Sequence, residues 1–250
     1  MTVATVDVVI LTWNDAEQAE AAVASAFAQR DVAVQVIVVD NGSDPAAVVG
    51  DPRVQLVRSD RNLGVGGGRN LGVAAGSGPF VCFLDSDARL LPDTLGLLLA
   101  PMHADLTVGL TAPVYTDQRP EASAGVAPNF TDKVRRALNR TDVYSAAPGQ
   151  GVGDSWDVDF AIGACQLFRR EAFDTVGGLD ASSTFGPEDV DFCLRLGQAG
   201  LRTVQVAAAR CEHPPRRAFR GLATRRGLRH AVAVLRHLWR HRWASRRVPA

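Results

Sequence analysis

Residues 80–87 read Phe80-Val81-Cys82-Phe83-Leu84-Asp85-Ser86-Asp87, five apolar residues running into two carboxylates separated by one small residue. An unbroken apolar run of this length is the pattern of a strand buried on both faces, and in open α/β sheets ligands sit beyond the carboxyl ends of the strands. Hard divalent cations take oxygen ligands and commonly share one or two carboxylates with substrate phosphates. Asp85 and Asp87 therefore stand where a cation and an anionic substrate would meet. Alone, the pair is also what a solvated turn looks like, and the chain repeats Asp-x-Asp at Asp157/Asp159 and Asp189/Asp191. The surrounding chain has to decide between the two readings.

Upstream, Val6 to Leu11 and Val34 to Val39 are similar apolar runs, ending in Thr12-Trp13-Asn14-Asp15 and Asp40-Asn41-Gly42-Ser43-Asp44-Pro45. Asn14 or Asp15 is placed to cap a helix in which Ala16, Ala19, Val23, Ala26 and Phe27 recur at helical spacing. Pro45 suits the first position of a short helix. Val54 to Arg58 reads as a third strand. Strands alternating with helices argue for a largely parallel sheet with right-handed crossovers. Next comes Asn62-Leu63-Gly64-Val65-Gly66-Gly67-Gly68-Arg69-Asn70-Leu71-Gly72. Its glycines lead into a helix whose first turn is expected to carry Arg69, so free N–H groups, a positive dipole end and a guanidinium would together suit a diphosphate. A flexible connector is the other reading, and the glycine spacing departs from the dinucleotide-binding fingerprint.

Downstream, Pro92 and Asp93 open a helix to about Ala104 with Leu95, Leu98 and Leu99 inward, and Val108 to Pro113 is a further strand. Residues 114–155 are rich in Pro, Gly, Ser and Asp, with a short basic helix at 131–140, and suit a lid or acceptor loop. Val158 to Phe168 returns to apolar alternation, and a short helix from Glu171 to Val176 ends at Gly177-Gly178. In Phe185-Gly186-Pro187-Glu188-Asp189-Val190-Asp191, Pro187 falls in the first helical turn. Glu188 and Asp189 then sit where the helix dipole favours carboxylates, and Asp191 can pair with Arg195. A short strand near Val204–Val206 leads to Glu212-His213-Pro214-Pro215.

The composition, 46% apolar and 22% charged over 250 residues, fits one sizeable α/β domain. The net charge of zero conceals an asymmetry. Residues 214–250 carry 11 Arg and no acidic residue, leaving 16 basic against all 27 acidic residues in 1–213. Cys82, Cys165, Cys193 and Cys211 show no metal-ligand spacing and read as buried reduced thiols. No basic segment leads into a long apolar run at the N-terminus, and no apolar stretch is long enough to cross a membrane. The expected location is the cytoplasm.

Five separated pieces, VDVVILTWN, VIVVDNGSD, NLGVGGGRNLG, VCFLDSDA and FGPEDVDFCLRLGQAG, followed by a His, stand in an order that resembles the inverting glycosyltransferases of family two. The closer likeness is to bacterial rhamnosyl- and galactofuranosyltransferase-type members that build cell-wall or surface glycans. The resemblance covers about residues 6–213. It implies a GT-A fold: α/β, a Rossmann-like, mostly parallel central sheet flanked by helices. The glycosyltransferase domain would be 1–213, with 1–110 as the nucleotide-sugar-binding half, 111–213 as the acceptor half and 214–250 as a basic helical tail.

It further implies that Thr12 and Asn14 line the nucleotide pocket and that Asp40 accepts from the N3–H of uracil or thymine. Asn62, Gly64 and Arg69 would lie along the donor, Arg69 near the diphosphate. Asp85 and Asp87 would bind Mn2+ or Mg2+, Asp85 also facing the ribose, and His213 would complete the metal site. Asp189 would be the catalytic base, with Glu188, Asp191 and Trp156 supporting geometry or binding acceptor. Trp13 stands where the family often has Tyr. The implied reaction moves a sugar from a UDP- or dTDP-linked donor to an acceptor hydroxyl by one direct displacement.

Within 222–243, Leu228, Ala231, Val232, Leu235, Leu238, Trp239 and Trp243 follow helical spacing among Arg225, Arg226, Arg229, Arg236 and Arg240, a basic pattern that continues to Arg247. Such a helix reads as an anionic-membrane contact on the inner face. Docking on the domain is the second reading and nucleic acid the last. Membrane contact suits a polyprenyl-linked acceptor. A soluble small molecule or protein acceptor, and a catalytically silent sugar-nucleotide-binding scaffold, are the alternatives.

Overall fold

The structure, a computed structural model, describes residues 4–116, 123–125, 155–182 and 187–214. The expected helices at 131–140 and within 222–243 lie outside the described residues. In chain order the elements are β1 (Thr5–Thr12), α1 (Ala16–Phe27), β2 (Ala33–Asp40), β3 (Gln55–Arg58), α2 (Gly64–Ala75), β4 (Phe80–Asp85), β5 (Arg89–Leu90), α3 (Thr94–Ala104), β6 (Val108–Tyr115) and β7 (Ala124–Gly125). They continue with β8 (Ser155–Val158), β9 (Phe160–Ala161), β10 (Cys165–Arg169), α4 (Arg170–Thr175), α5 (Glu188–Gln198) and β11 (Arg202–Glu212).

The main sheet runs β3-β2-β1-β4-β10-β6-β11-β5, with β8 paired to β11. Its first four strands are parallel. Beyond them the sheet is mixed: β10 lies antiparallel between β4 and β6, while β6 and β11 are again parallel.

Strand alternation divides the core into two layers. Val6, Val8, Ile10, Val36, Val38, Cys82 and Leu84 meet α1 and α3 through Ala19, Val23, Leu95 and Leu98. Val9, Ile37, Val39, Val81 and Phe83 face the other way, onto Val73 of α2, Phe173 of α4 and Phe192 of α5. Both sheet faces are thus covered, which explains why these strands are continuously apolar.

The same alternation places Asp85 with Val81 and Phe83 on the α2 side. It places Asp40 with Val36 and Val38 on the α1 side.

The glycine-rich stretch is helix rather than loop, since α2 begins at Gly64, where φ is +76°. Its glycines bring the helix onto the sheet: a Cβ on Gly72 would stand 2.3 Å from Val9 Cγ1 and 2.9 Å from Val39 Cγ2. Arg69 therefore falls in the second turn and is buried, not in an open first turn beside free N–H groups.

No helix follows Pro45. There the Gly50 N–H donates to the Glu20 side chain instead of to a helical carbonyl, and the Ala47 N–H donates to Asp40. Asp15 occupies the N-cap position of α1 without a side-chain cap hydrogen bond. The four cysteines are free and buried, as expected. No helix among the described residues is long and apolar enough to cross a membrane.

At the opposite end of the sheet from Asp85, the fully buried Asp7 accepts from Arg170 Nη2 and the Gly78 N–H, each at 2.7 Å. Arg170 also reaches the carbonyls of Gly78 and Val73, tying α4 to the turn between α2 and β4.

Candidate active site

The turn after β4 is closed by the Ala88 N–H donating to the Asp85 carbonyl at 3.0 Å. The chain then enters β5, whose Leu90 and Arg89 pair with Cys211 and Glu212 at the end of β11. This pairing carries His213 to the Asp-x-Asp turn. His213 Nε2 lies 3.6 Å from Asp87 Oδ1 and 3.9 Å from Asp85 Oδ2.

Among the described residues, Asp85, Asp87 and His213 form the one group of three potential ligands, with ligand atoms all within 4.8 Å of one another. With metal–ligand bonds of about 2.1 Å, adjacent ligand atoms stand about 3 Å apart and opposed ones about 4 Å. The two His213–carboxylate separations, 3.6 and 3.9 Å, fall in that interval, and the two carboxylates suit a hard cation.

Asp85 divides its oxygens. Oδ2 faces His213, while Oδ1 accepts from Arg69 Nη2 at 2.7 Å. The same Arg69 nitrogen donates to the Gly163 carbonyl at 2.7 Å, and the guanidinium lies over Phe83, 5.0 Å from the ring centroid. Burial alone would lower the Arg69 pKa, but Asp85, Glu188 and Asp189 together raise it, so the guanidinium stays charged.

Asp189 stands at the start of α5. Its Oδ2 accepts from the Gly163 N–H at 3.0 Å and its Oδ1 from the Val190 N–H at 2.8 Å. Burial raises its pKa above the ordinary 3.8, against the opposing pull of those two N–H groups and Arg69. A carboxylate raised in this way is better matched to taking a proton near neutral pH.

The helix holding it is fixed by Phe192, which packs edge-on against Phe168 at 5.3 Å and Phe173 at 5.7 Å. Asp191, expected as a supporting or acceptor residue, is buried and paired with Arg195 at 2.7 Å. Arg195 also donates to the Val176 carbonyl at 2.6 Å, which anchors α5 to the end of α4. Asp191 thus supports geometry. Trp156, on β8, donates to Gln205 Oε1 of the neighbouring strand at 3.1 Å.

The residues expected around a nucleotide gather at the ends of β1 and β2. Asp40 is buried; its Oδ1 accepts from the Ser43 N–H at 3.0 Å and its Oδ2 from the Ala47 N–H at 2.9 Å. Burial pushes its pKa up, but the Ser43 hydroxyl, the two N–H groups and Arg58 outweigh this and hold it low. Asp40 is therefore an anchor of its own loop, and a nucleobase N–H would have to use a remaining lone pair.

Asn14, at φ 56°, accepts from the Asp44 N–H and donates its own N–H to Ser43 Oγ, stitching the β1–α1 loop to the loop after β2. The buried Thr12 hydroxyl has no hydrogen-bond partner among the described residues. Asn62 and Gly64 are held by Asn41, which takes the Leu63 N–H on Oδ1 and donates to Asn62 Oδ1 and the Gly64 carbonyl.

A cleft of about 510 Å³ opens between the start of α1 and residues 43–48, bordered by Asp15, Glu17, Glu20 and Asp44. Its acidic rim is a poor seat for a diphosphate, in contrast with the Arg69 side.

Two residues escape a reading of the sequence. Asn41 looks like one more member of a turn cluster. Gly163 is a lone glycine whose neighbours give no hint that its peptide joins Arg69 to Asp189.

The profile of glycosyl transferase family 2 matches residues 7–177. The succinoglycan biosynthesis protein ExoO of Rhizobium meliloti (strain 1021) is 44% identical over 92 residues, covering 35% of this chain and 26% of that protein. The N-acetylglucosaminyl-diphospho-decaprenol L-rhamnosyltransferase of Mycobacterium tuberculosis is 28% identical over 235 residues, covering 82% of this chain and 75% of the relative. The chain thus spans about a quarter of the first relative and three quarters of the second. In fold, it is similar to GalNAc-T7, solved with UDP, GalNAc and Mn2+, at a TM-score of 0.66 and 17% identity over 89% of this chain and 46% of that one. The architecture is accordingly GT-A.

Proposed function

Because the chain belongs to glycosyl transferase family 2, we propose that it transfers a sugar from a nucleoside-diphosphate donor to an acceptor hydroxyl, inverting the anomeric centre. The observation that carries this reading is the joining of two sites through one residue. Arg69 touches Asp85 of the Asp-Asp-His group and donates to the carbonyl of Gly163, whose N–H donates to Asp189.

In this reading Asp85, Asp87 and His213 hold a divalent cation, Mn2+ or Mg2+. When bound, it would stabilise the charge developing on the leaving diphosphate. Arg69, buried and charged, contributes a fixed positive group on the same side at no cost of reorganisation. Asp189 takes the proton of the attacking hydroxyl, its basicity raised by burial. One displacement needs no carboxylate nucleophile, and none is assigned. Thr12, Asn14, Asp40, Asn62 and Gly64 shape the nucleotide end.

For the acceptor we propose a lipid-linked glycan precursor. Two observations support this: the decaprenol-linked acceptor in the name of the M. tuberculosis relative, and the 11 Arg of residues 214–250, which suit an anionic membrane surface.

The test is release of nucleoside diphosphate from a panel of UDP-, dTDP- and GDP-sugars, with and without Mn2+, in the presence of polyprenyl-diphosphate-linked N-acetylglucosamine. Metal-dependent release from one nucleotide class, stimulated by the lipid, is expected. Release without stimulation by the lipid would move the acceptor to a soluble molecule. No release from any donor, with thermal stabilisation by a nucleotide retained, would favour a silent sugar-nucleotide-binding scaffold, and neither release nor stabilisation would defeat the donor site itself.

A further inference from the structure

Tyr115, at the end of β6, is 1% exposed and touches both halves of the site. Its hydroxyl donates to the Ile162 carbonyl at 3.2 Å and accepts from the Cys165 N–H at 3.0 Å. Those contacts bracket the turn carrying Gly163, whose carbonyl holds Arg69 and whose N–H holds Asp189. The next residue, Ala164, accepts from the Asp85 N–H at 2.9 Å. The Tyr115 ring also lies against the His213 imidazole, with centroids 5.3 Å apart and planes at 53°.

We propose that Tyr115 is a positioning residue with two separable parts: its hydroxyl pins the 162–165 turn that sets Arg69 against Asp189, and its ring braces His213. The inference rests on the transferase reading above.

Turn and ring are tied to different elements of the site. Loss of the hydroxyl leaves the Ile162 carbonyl and the Cys165 N–H unpaired inside the core, and a buried group of that kind seeks a new partner by moving. The Ile162 carbonyl shares its peptide plane with the Gly163 N–H, so rotation of that plane shifts the N–H on Asp189 and pulls on the adjoining 163–164 peptide, which carries the carbonyl under Arg69. The room for such movement is small, because even a Cβ on Gly163 would stand 2.6 Å from Arg69 Nη1 and 3.2 Å from Asp189 Cβ. The His213 imidazole depends on the ring, which survives removal of the hydroxyl.

The experiment compares Tyr115→Phe and Tyr115→Leu in the full chain. It measures kcat and KM for the donor that the wild type turns over, and Mn2+ affinity by electron paramagnetic resonance in the presence of the matching nucleoside diphosphate. Tyr115→Phe is expected to lower kcat by about tenfold to a hundredfold, the scale of a misplacement near 1 Å. Its donor KM and Mn2+ affinity are expected to stay within about threefold of wild type, a difference worth under about 0.7 kcal/mol. Tyr115→Leu is expected to lose kcat equally and to weaken Mn2+ binding as well.

A Tyr115→Phe protein with wild-type kcat, whatever its melting temperature, overturns the proposal. So does equal Mn2+ weakening in both variants, since that would reduce Tyr115 to a general support of the fold. A wild type that turns over no donor would instead defeat the transferase reading, a separate result.

Discussion

Asp189→Asn isolates the role of the base. Asp189 Oδ2 takes the Gly163 N–H and Oδ1 the Val190 N–H, so the isosteric amide keeps one acceptor and loses the other. That loss costs about 1 kcal/mol. Against it stands the removal of a half-buried carboxylate whose pKa is raised above 3.8, chiefly by desolvation. A folded-state pKa above the unfolded one means that stability is greatest with the carboxyl protonated and falls as pH rises through the raised value. At neutral pH the ionised group is therefore a net cost, and the amide relieves it. The two effects oppose each other, and the melting temperature should stay within about 4 °C of wild type.

Activity should behave quite differently. A positioned general base contributes about 10²- to 10⁴-fold, or roughly 3–5 kcal/mol of barrier. The assay is initial-rate release of nucleoside diphosphate, with nucleotide–Mn2+ binding measured in parallel. Expected are a fall in kcat of at least about a hundredfold and unchanged nucleotide binding. The wild-type acid limb, where activity drops as pH falls through the raised Asp189 pKa, should vanish from the residual rate. Retention of more than about a tenth of wild-type kcat would refute the reasoning, as would a loss of activity that tracks a loss of nucleotide binding.

Gly72→Ala should destabilise by about 1–3 kcal/mol, because its methyl group meets Val9 and Val39 on buried strands, without altering nucleotide titrations of the folded protein. Thermal melts and nucleotide binding together check both halves of that statement. Arg170→Ala leaves the fully buried Asp7 without its charge partner and should cost about 3–5 kcal/mol in urea unfolding. Asp40→Asn removes one of two acceptors for the loop N–H groups and should lower stability by about 1–3 kcal/mol at pH 7. Because the Asp40 pKa is lowered below 3.8, its contribution is present above that value and lost as pH falls through the lowered one. The gap between wild type and Asp40→Asn should accordingly close in acid, as melting temperatures against pH would reveal.

Much of this arrangement is visible in the residues themselves. Apolar runs ending in Thr12, Asp40 and Asp85 mark three buried parallel strands, because covering both faces demands continuous apolarity. The pairing of Asp191 with Arg195 and the inward leucines of α3 follow from helical spacing alone.

Direction is a different matter. A five-residue run such as Cys165–Arg169 looks the same parallel or antiparallel, so the reversal of β10 between β4 and β6 leaves no trace in composition. Gly64–Gly72 suggests a phosphate loop because glycine serves close approach of any kind, and here the approaching groups belong to the protein itself: the Asp180 carbonyl at Gly66, Leu11 at Gly68, and Val9 and Val39 at Gly72. Pro45 suggests a helix only if nearby N–H groups have no better acceptor, and Glu20 provides one for Gly50. Gly163 and Tyr115 act through backbone atoms brought together from residues far apart in the chain, which local patterns do not encode.

The central claim is that Asp85, Asp87 and His213 hold a divalent cation beside the donor diphosphate. Electron paramagnetic resonance of Mn2+ titrated into the wild type, Asp87→Ala and His213→Ala, each with saturating nucleoside diphosphate, tests it most directly. The expected result is loss of the free-ion signal at one Mn2+ per wild-type chain, with the signal persisting in both variants. Wild-type binding retained by either variant, or no nucleotide-dependent binding by the wild type, would contradict the account.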